Sequence, residues 1–135
     1  GYKVDKATAT CPIFVTYDKD PDVSASVRYL DEFHNPSLMK WYSRSDRTLR
    51  SNELQPIIHH QVPLHLFVKK SDADGTDFFY LGTAKSRDPV QTTMKGEGTQ
   101  EHDVVTMELK LESPVELGLY RYLVDSGTLP TNLVG

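Results

Sequence analysis

The alternation of apolar and polar residues over positions 104–111 constrains the fold of this chain more than any other feature. Val105, Met107, Leu109 and Leu111 fall on one side of an extended chain, and the residues between them are mostly polar. A period of two is typical of a β-strand that rests one face on a hydrophobic core and exposes the other. We therefore predict a half-buried strand here, within a fold that contains a sheet.

Other apolar residues also come in short, strand-sized groups separated by turn-forming residues. Residues 11–17 are rich in β-branched and aromatic side chains, and residues 64–70 and 77–82 flank a segment that contains Asp and Gly. Because Asp and Gly suit the turns of hairpins, we predict that the last two segments pair as antiparallel strands. The polar residues 86–103 show no period, and we predict a long loop there.

Two helices are predicted from capping signals and from the spacing of apolar residues. The stronger one starts near Ser113 and Glu116, which match a capping box, with Pro114 in the first turn. A weaker signal covers residues 51–58, where Pro56 limits the length. The combination predicts an α+β fold, a small curved β-barrel or strongly curved sheet with one or two flanking helices.

The size and composition indicate a single domain over residues 1–135. A chain of this length buries about two thirds of the surface that its unfolded form exposes, so it needs neither metal nor disulfide to fold. Cys11 is the one cysteine, and no signal-like or membrane-spanning apolar stretch is present, which favours a cytoplasmic setting and no membrane partner. The sequence starts with Gly1 rather than methionine, which indicates a tag remnant or a domain cut from a larger protein.

Positive charge is concentrated in one short segment of this acidic chain. The net charge is −4, but residues 40–50 contain Lys40, Arg44, Arg47 and Arg50 against a single acid, Asp46. Aromatic and hydroxyl side chains lie between these cations, a composition that suits nucleic acid because phosphates attract cations and unstacked bases pack on aromatic rings. We predict that the four cations contact a DNA backbone; a solvated basic loop is the alternative.

A base-binding pocket is predicted next to this segment. If residues 38–45 form a strand, Trp41 and Ser43 share a face, and upstream Tyr29, Asp31 and Phe33 alternate in the same way. Aromatic rings can stack a heterocycle, and a carboxylate can accept a hydrogen bond from the amino group of cytosine. The alternative is that the aromatic residues are simply part of the core, where large aromatic side chains are common.

Signals for catalysis or metal binding are weak. Asp18, Asp20 and Asp22 have the opening spacing of a calcium loop, but the glycine and the glutamate that such a loop requires are missing. His59 and His60 are adjacent and lack the helical spacing of a zinc pair. No phosphate loop or nucleophile motif is recognisable. We expect a binding domain with no catalytic residues, no metal and no cofactor.

The segments VTYDKD, YLDEFHN, KWYSRSDRTLRS, LHLFVKK, DFFYLGTA and DVVTMELKLESPVELGLYRYL together resemble the C-terminal domain of SauUSI-like type IV restriction enzymes. The resemblance spans residues 11–124. Those enzymes carry a phospholipase-D-type nuclease and a superfamily-two helicase ahead of a DNA-reading domain that favours 5-methylcytosine. The resemblance implies an SRA- or PUA-like barrel that flips a modified base, with the nuclease and helicase as parts of the parent chain.

Charge, motifs and resemblance together predict a module that binds double-stranded DNA with a modified cytosine and does not cut it. In this hypothesis Trp41 and Tyr29 stack the extruded base, Asp31 accepts from its amino group, Ser43 supports its edge and Phe33 contacts the methyl group. The alternatives are a protein-interaction domain within a helicase or nuclease assembly, and a small hydrolase.

Overall fold

The computed structural model describes residues 1–18, 31–71, 77–95 and 100–124. In chain order the elements are β1 (Cys11–Asp18), β2 (Glu32–Asn35), β3 (Leu38–Tyr42), a 3-10 turn (Asn52–Leu54) that leads into α1 (Gln55–Ile58), β4 (Leu64–Ser71), β5 (Phe79–Lys95), β6 (Glu101–Leu111) and α2 (Leu117–Val124).

The six strands of the described residues form one mixed sheet in the order β1-β4-β5-β6-β3-β2. Strands β1 and β4 are parallel, and the other neighbours are antiparallel. The two edges of the sheet meet through side chains: the Tyr17 hydroxyl accepts a hydrogen bond from the Phe33 amide at 3.3 Å, and the two rings stack. The sheet is therefore strongly curved, an open half-barrel, and the predicted α+β class with a curved sheet and two flanking helices is confirmed.

The core lies on the concave face of this sheet. Met107, Leu109 and Leu111 of β6 are buried, as the alternation predicts, and Leu66 and Ile13 of the neighbouring strands are buried with them. Both helices close the core, since each contributes fully or nearly fully buried apolar residues: Leu54 and Ile57 from the first helical segment, and Leu119 and Leu123 from α2.

The predicted antiparallel pairing of residues 64–70 with residues 77–82 is confirmed by β4 and β5, while the turn predicted between them, at residues 72–76, lies outside the described residues. The loop prediction for residues 86–103 is wrong. Residues 86–95 and 101–103 belong to the long antiparallel pair of β5 and β6, which stays in register from Val90 with Thr106 to Lys95 with Glu101. Residues 96–99 lie outside the described residues. Most side chains of β5 beyond Ser86 are exposed. A strand that exposes both faces has no alternating pattern, so its sequence does not distinguish it from a loop.

The start of the second helix also differs from the prediction. Helix α2 begins at Leu117, and the Glu116 carboxylate caps it by accepting hydrogen bonds from the amides of Gly118 and Leu119 at 2.8 and 2.9 Å. These two bonds lower the pKa of Glu116. Ser113 does not start the helix, because the Val115 amide donates instead to the Pro36 carbonyl at 2.9 Å and holds this segment against the β2–β3 turn.

Candidate nucleic-acid interface

The basic segment continues from the end of β3 as a loop, here called the basic loop (residues 43–51). It lies along the first half of β6, beyond the last β3–β6 pair, Tyr42 with Thr106. The Ser43 amide donates to the Val105 carbonyl at 2.8 Å, and the Val105 amide donates to the Ser43 hydroxyl at 2.9 Å. The Asp46 amide then donates to the Asp103 carbonyl at 2.7 Å. The basic loop therefore pairs with backbone groups of β6 that lie beyond the end of β3.

Side chains of the extended β5–β6 pair add further contacts to the basic loop. We call the part of this pair that extends past β3 the arm (residues 91–95 and 101–105). Gln91 of the arm accepts from the Leu49 amide at 2.9 Å and donates to the Arg47 carbonyl at 3.3 Å. His102 pairs with the Asp46 carboxylate at 2.9 Å. The basic loop and the arm therefore form one continuous surface.

Two of the four predicted backbone-binding cations share one acid. The guanidinium groups of Arg44 and Arg47 each bind one oxygen of the Glu53 carboxylate, Arg44 at 2.6 Å. Arg44 also lies over the Tyr2 ring, 4.0 Å from its centroid, which ties the N-terminus to this cluster. The three charged groups sum to +1, so Arg44 and Arg47 offer less positive charge than the sequence indicates.

The titration of this cluster follows from the same contacts. Partial burial on its own would raise the pKa of Glu53, but hydrogen bonds from Tyr2, Arg47 and Arg44 outweigh burial and lower it. Burial raises the pKa of the Tyr2 hydroxyl, and its hydrogen bond with Glu53 raises it further. The hydrogen bond to Glu53 raises the pKa of Arg47. The Glu53 carboxylate therefore stays ionised and Arg47 stays charged across the neutral range.

Arg50 and Lys40 lie in different electrostatic surroundings. Arg50 is exposed, and its side chain forms no hydrogen bond or ion pair with another described residue. Lys40 is on the convex face of β3, in register between Glu32 of β2 and Glu108 of β6, and its ammonium group lies 5.5 Å from the Tyr42 ring centroid. Arg50 thus keeps its full charge on the basic loop, whereas Lys40 lies apart, between two acids.

Trp41 and Ser43 are buried. Trp41 is 2% exposed, faces the core in register with Met107 and packs edge-to-face on Tyr2 at 4.8 Å between ring centroids. The Ser43 hydroxyl uses both hydrogen-bonding capacities on the backbone, donating to the Arg44 carbonyl and accepting from the Val105 amide. Both residues therefore have structural roles in this form of the domain, and their assignment to a base pocket stays a prediction.

The remaining pocket candidates have different positions. The Asp31 carboxylate accepts from the Tyr42 amide at 2.9 Å, which brings it to the point where the basic loop leaves β3. Phe33 is buried between the rings of Tyr17 and Tyr120, at 5.8 and 5.5 Å between centroids. Tyr29 lies outside the described residues. The structure therefore brings Asp31 close to the basic loop and packs Phe33 into the closure of the sheet.

Four residues of this site carry no signal in the sequence that would assign them to it: Tyr2, Glu53, Gln91 and His102. Glu53 contacts arginines six and nine positions away across a turn, a spacing that no regular element produces. Tyr2, Gln91 and His102 reach the basic loop from distant parts of the chain. Only the tertiary fold brings them together, so sequence patterns could not identify them.

The family model for a domain of unknown function, DUF3427, matches residues 1–123. The chain belongs to this family. No curated protein matches the sequence at a significant level.

Two solved structures are similar to this member of the DUF3427 family. One is the SRA domain of SUVH5 in complex with fully methylated CG DNA: identity is 13%, the match covers 87% of this chain and 76% of that chain, and the TM-score is 0.49. The other is KRYPTONITE in complex with mCHG DNA and SAH: identity is 16%, coverage is 80% of this chain and 24% of that chain, and the TM-score is 0.44. Similarities of this size do not bear on the function of this chain.

Two further findings concern the described part of the DUF3427 domain. It contains no group of three or more His, Cys, Asp or Glu side chains placed to hold a metal ion. None of its helices has the length and apolar character that a membrane crossing requires.

Replacing Trp41 by Ala should cost about 3–5 kcal/mol of unfolding free energy, because a large buried ring would leave a cavity. Tyr42→Ala is the matched control, since the neighbouring side chain on the same strand is only half-buried and should cost less. Urea unfolding followed by circular dichroism measures both, as Trp41 is the one tryptophan. A stable Trp41→Ala protein that loses DNA affinity would instead favour a stacking role.

Replacing Glu53 by Gln should cost about 1 kcal/mol at pH 7, because the ion pairs with Arg44 and Arg47 are partly screened by solvent. The folded state lowers the pKa of Glu53, so its contribution is complete above the unfolded value of about 4.3 and is lost as the pH falls through the folded value. The difference in unfolding free energy between Glu53→Gln and wild type should therefore begin to shrink as the pH falls below about 4.3, the unfolded value.

Glu108→Gln is the control for this experiment, since Glu108 forms a single ion pair with Arg87 at 2.9 Å and is similarly exposed. Its cost should be smaller than that of Glu53→Gln. A Glu53→Gln cost that stays constant between pH 7 and pH 3 would contradict an electrostatic role for Glu53.

Proposed function

We propose that this domain binds double-stranded DNA that contains 5-methylcytosine, and that the basic loop and the arm form its contact surface. The observation that carries the proposal is the fixed position of the loop: exposed Arg50 and partly exposed Arg47 belong to a segment that hydrogen bonds hold to β6 and Gln91. Cations on a preorganised surface suit phosphates, because little conformational freedom is lost on binding. The sequence resemblance to the DNA-reading domain of SauUSI-like enzymes supplies the preference for a methylated base.

The base-reading part of the proposal centres on Asp31. Its carboxylate lies where the basic loop leaves β3, and a carboxylate there can accept a hydrogen bond from the amino group of a flipped cytosine. Tyr29 and Phe33 are proposed to contact the base and its methyl group. Trp41 and Ser43 are buried, and they would support the site by fixing the position of the end of β3 and the start of the basic loop. An apolar contact with one methyl group gives about 1–3 kcal/mol of discrimination, so the preference should be measurable but modest.

The proposal extends to the context of the domain. We propose a cytoplasmic protein in which residues 1–135 are the DNA-recognition domain of a type IV restriction enzyme and the parent chain supplies the nuclease and helicase. The domain alone would then bind DNA without cutting it.

A protein-interaction domain is the second candidate, and one observation favours it. Aromatic residues form a row on the convex face near the edge strand β1: Phe14 stacks on Phe67 at 4.8 Å, and Phe67 contacts Tyr80 at 5.0 Å. Phe14 is 40% and Tyr80 53% exposed. Clustered apolar surface of this kind is typical of protein contacts. Binding that depends on this row should vary little with salt, unlike binding to phosphates.

The third candidate, a small hydrolase, has no observation in its favour. Cys11 is fully buried, and burial raises the pKa of its thiol to about 11. The thiol therefore stays protonated at neutral pH, and a protonated thiol is a poor nucleophile.

Fluorescence anisotropy with two duplexes of identical sequence, one containing 5-methylcytosine, tests the proposal. The methylated duplex should bind about tenfold more tightly, the factor that an apolar contact with one methyl group supports. Equal affinities in several sequence contexts would contradict methyl recognition, and weak binding that does not change with salt would favour the protein-interaction domain.

Changing Arg50 to Ala should weaken both duplexes by similar factors and reduce the slope of log affinity against log salt by about one, because a phosphate contact carries no base information. Arg121 is exposed on α2, and Arg121→Ala removes the same charge there. It should change neither the affinities for the two duplexes nor the salt slope. If Arg50→Ala abolished only the preference for the methylated duplex, Arg50 would read the base and not the backbone.

A further inference from the structure

The basic loop presents an exposed apolar side chain among its cations. Leu49 lies between Arg47 and Arg50 in the sequence and is 40% exposed. Its side chain is not part of the hydrophobic core. An exposed leucine alone is ordinary, so the way in which its backbone is held is the informative observation.

Both backbone polar groups of Leu49 are held by glutamine side chains from different elements. The Leu49 amide donates to Gln91 Oε1 of β5 at 2.9 Å, and the Leu49 carbonyl accepts from Gln55 Nε2 of α1 at 2.7 Å. Gln55 Nε2 also donates to the Ser51 carbonyl at 3.2 Å. Gln55 and Gln91 thus hold the backbone of Leu49 from two different elements. Ordering these two long side chains costs conformational entropy.

The residues next to Leu49 form a turn that is fixed by its own hydrogen bonds. The Ser51 amide donates to the Thr48 carbonyl at 3.0 Å, and the Thr48 amide donates to the Ser51 hydroxyl at 2.9 Å. The Arg50 amide donates to the Thr48 hydroxyl at 3.2 Å. Leu49 therefore occupies a defined place at the turn before any ligand binds.

We propose that Leu49 is an apolar wedge that enters the base stack of duplex DNA and unstacks the step beside the modified cytosine. The inference rests on the proposed function, because contacts of Arg47 and Arg50 with phosphates would bring the turn against the duplex. Apolar side chains that enter a base step use such flanking contacts to offset the cost of unstacking. A fixed backbone suits this role, since a mobile loop would lose freedom on insertion.

The chemistry of the surroundings favours nucleic acid over an apolar protein surface as the partner of Leu49. Its sequence neighbours are Arg47, Thr48 and Arg50, so a partner that buried Leu49 would also have to accept the guanidinium of Arg50, which has no partner among the described residues, and lie close to that of Arg47, which Glu53 already binds. The stacked bases of a duplex are apolar and lie directly between two lines of phosphates, which meets both requirements.

The test uses a methylated duplex with 2-aminopurine beside the 5-methylcytosine, because the fluorescence of this base rises when it is unstacked. Wild type should raise the fluorescence on binding, and Leu49→Ala should lose most of the rise and bind about tenfold more weakly, as expected from the lost apolar contact. Leu49→Met, which keeps the apolar length, should retain both properties.

Leu117→Ala is the matched control. Leu117 is 52% exposed at the start of α2, beside the Glu116 cap and away from the basic loop, so the same truncation there should change neither fluorescence nor affinity. A urea midpoint equal to that of wild type would show that Leu49→Ala keeps its fold.

The outcomes separate this inference from the proposed function. If Leu49→Ala binds the methylated duplex and raises the fluorescence as wild type does, the wedge is wrong and the proposed function stands. If wild type binds methylated and unmodified duplexes equally, methyl recognition is wrong. The comparison of wild type with Leu49→Ala on the unmodified duplex then shows whether Leu49 unstacks a base step. If wild type binds neither duplex, both are wrong.

Discussion

The difference in length between β6 and its neighbour β3 determines where the candidate site forms. Strand β6 has 11 residues and β3 has 5, and their pairing stops at Tyr42 with Thr106. Apolar side chains of β6 from Val105 to Leu111 build the core, while its residues before Thr106 leave backbone groups that do not pair with β3. Buried or half-buried peptide groups need partners, and the basic loop supplies them. The same strand thus organises the core and fixes the loop that carries the exposed arginines.

Some of the arginines at this site form internal ion pairs, and another is left to contact a ligand. Glu53 binds Arg44 and Arg47, and Arg44 in turn covers the ring of Tyr2, which packs on Trp41. The ionic cluster therefore continues into the core and anchors the N-terminal segment. Arg50 is not part of this cluster. A cation without a partner among the described residues can bind phosphate without first breaking an ion pair, whereas Arg44 and Arg47 would each have to exchange the Glu53 carboxylate for another anion.

The sequence predicted the parts of the fold that have one buried face, because only these show a period. Strand β6, the hairpin of β4 and β5 and the α+β class follow from alternation and turn residues. The β5 part of the arm, residues 91–95, was missed because side chains on both of its faces are exposed. At Trp41, composition allowed a pocket or a core, and only the register with Met107 places the ring in the core. The arginine–Glu53 pairs depend on a turn between segments, which local patterns do not encode.

In the function proposed here, DNA contacts the basic loop and the arm, and not the aromatic row on the convex face. Backbone amide chemical shifts, followed by NMR while a methylated duplex is added, test it residue by residue. We expect the largest changes at Arg47, Leu49, Arg50 and the arm, with little change at Phe14, Phe67 and Tyr80. Changes concentrated on these three aromatic residues, with the basic loop unaffected, would contradict it.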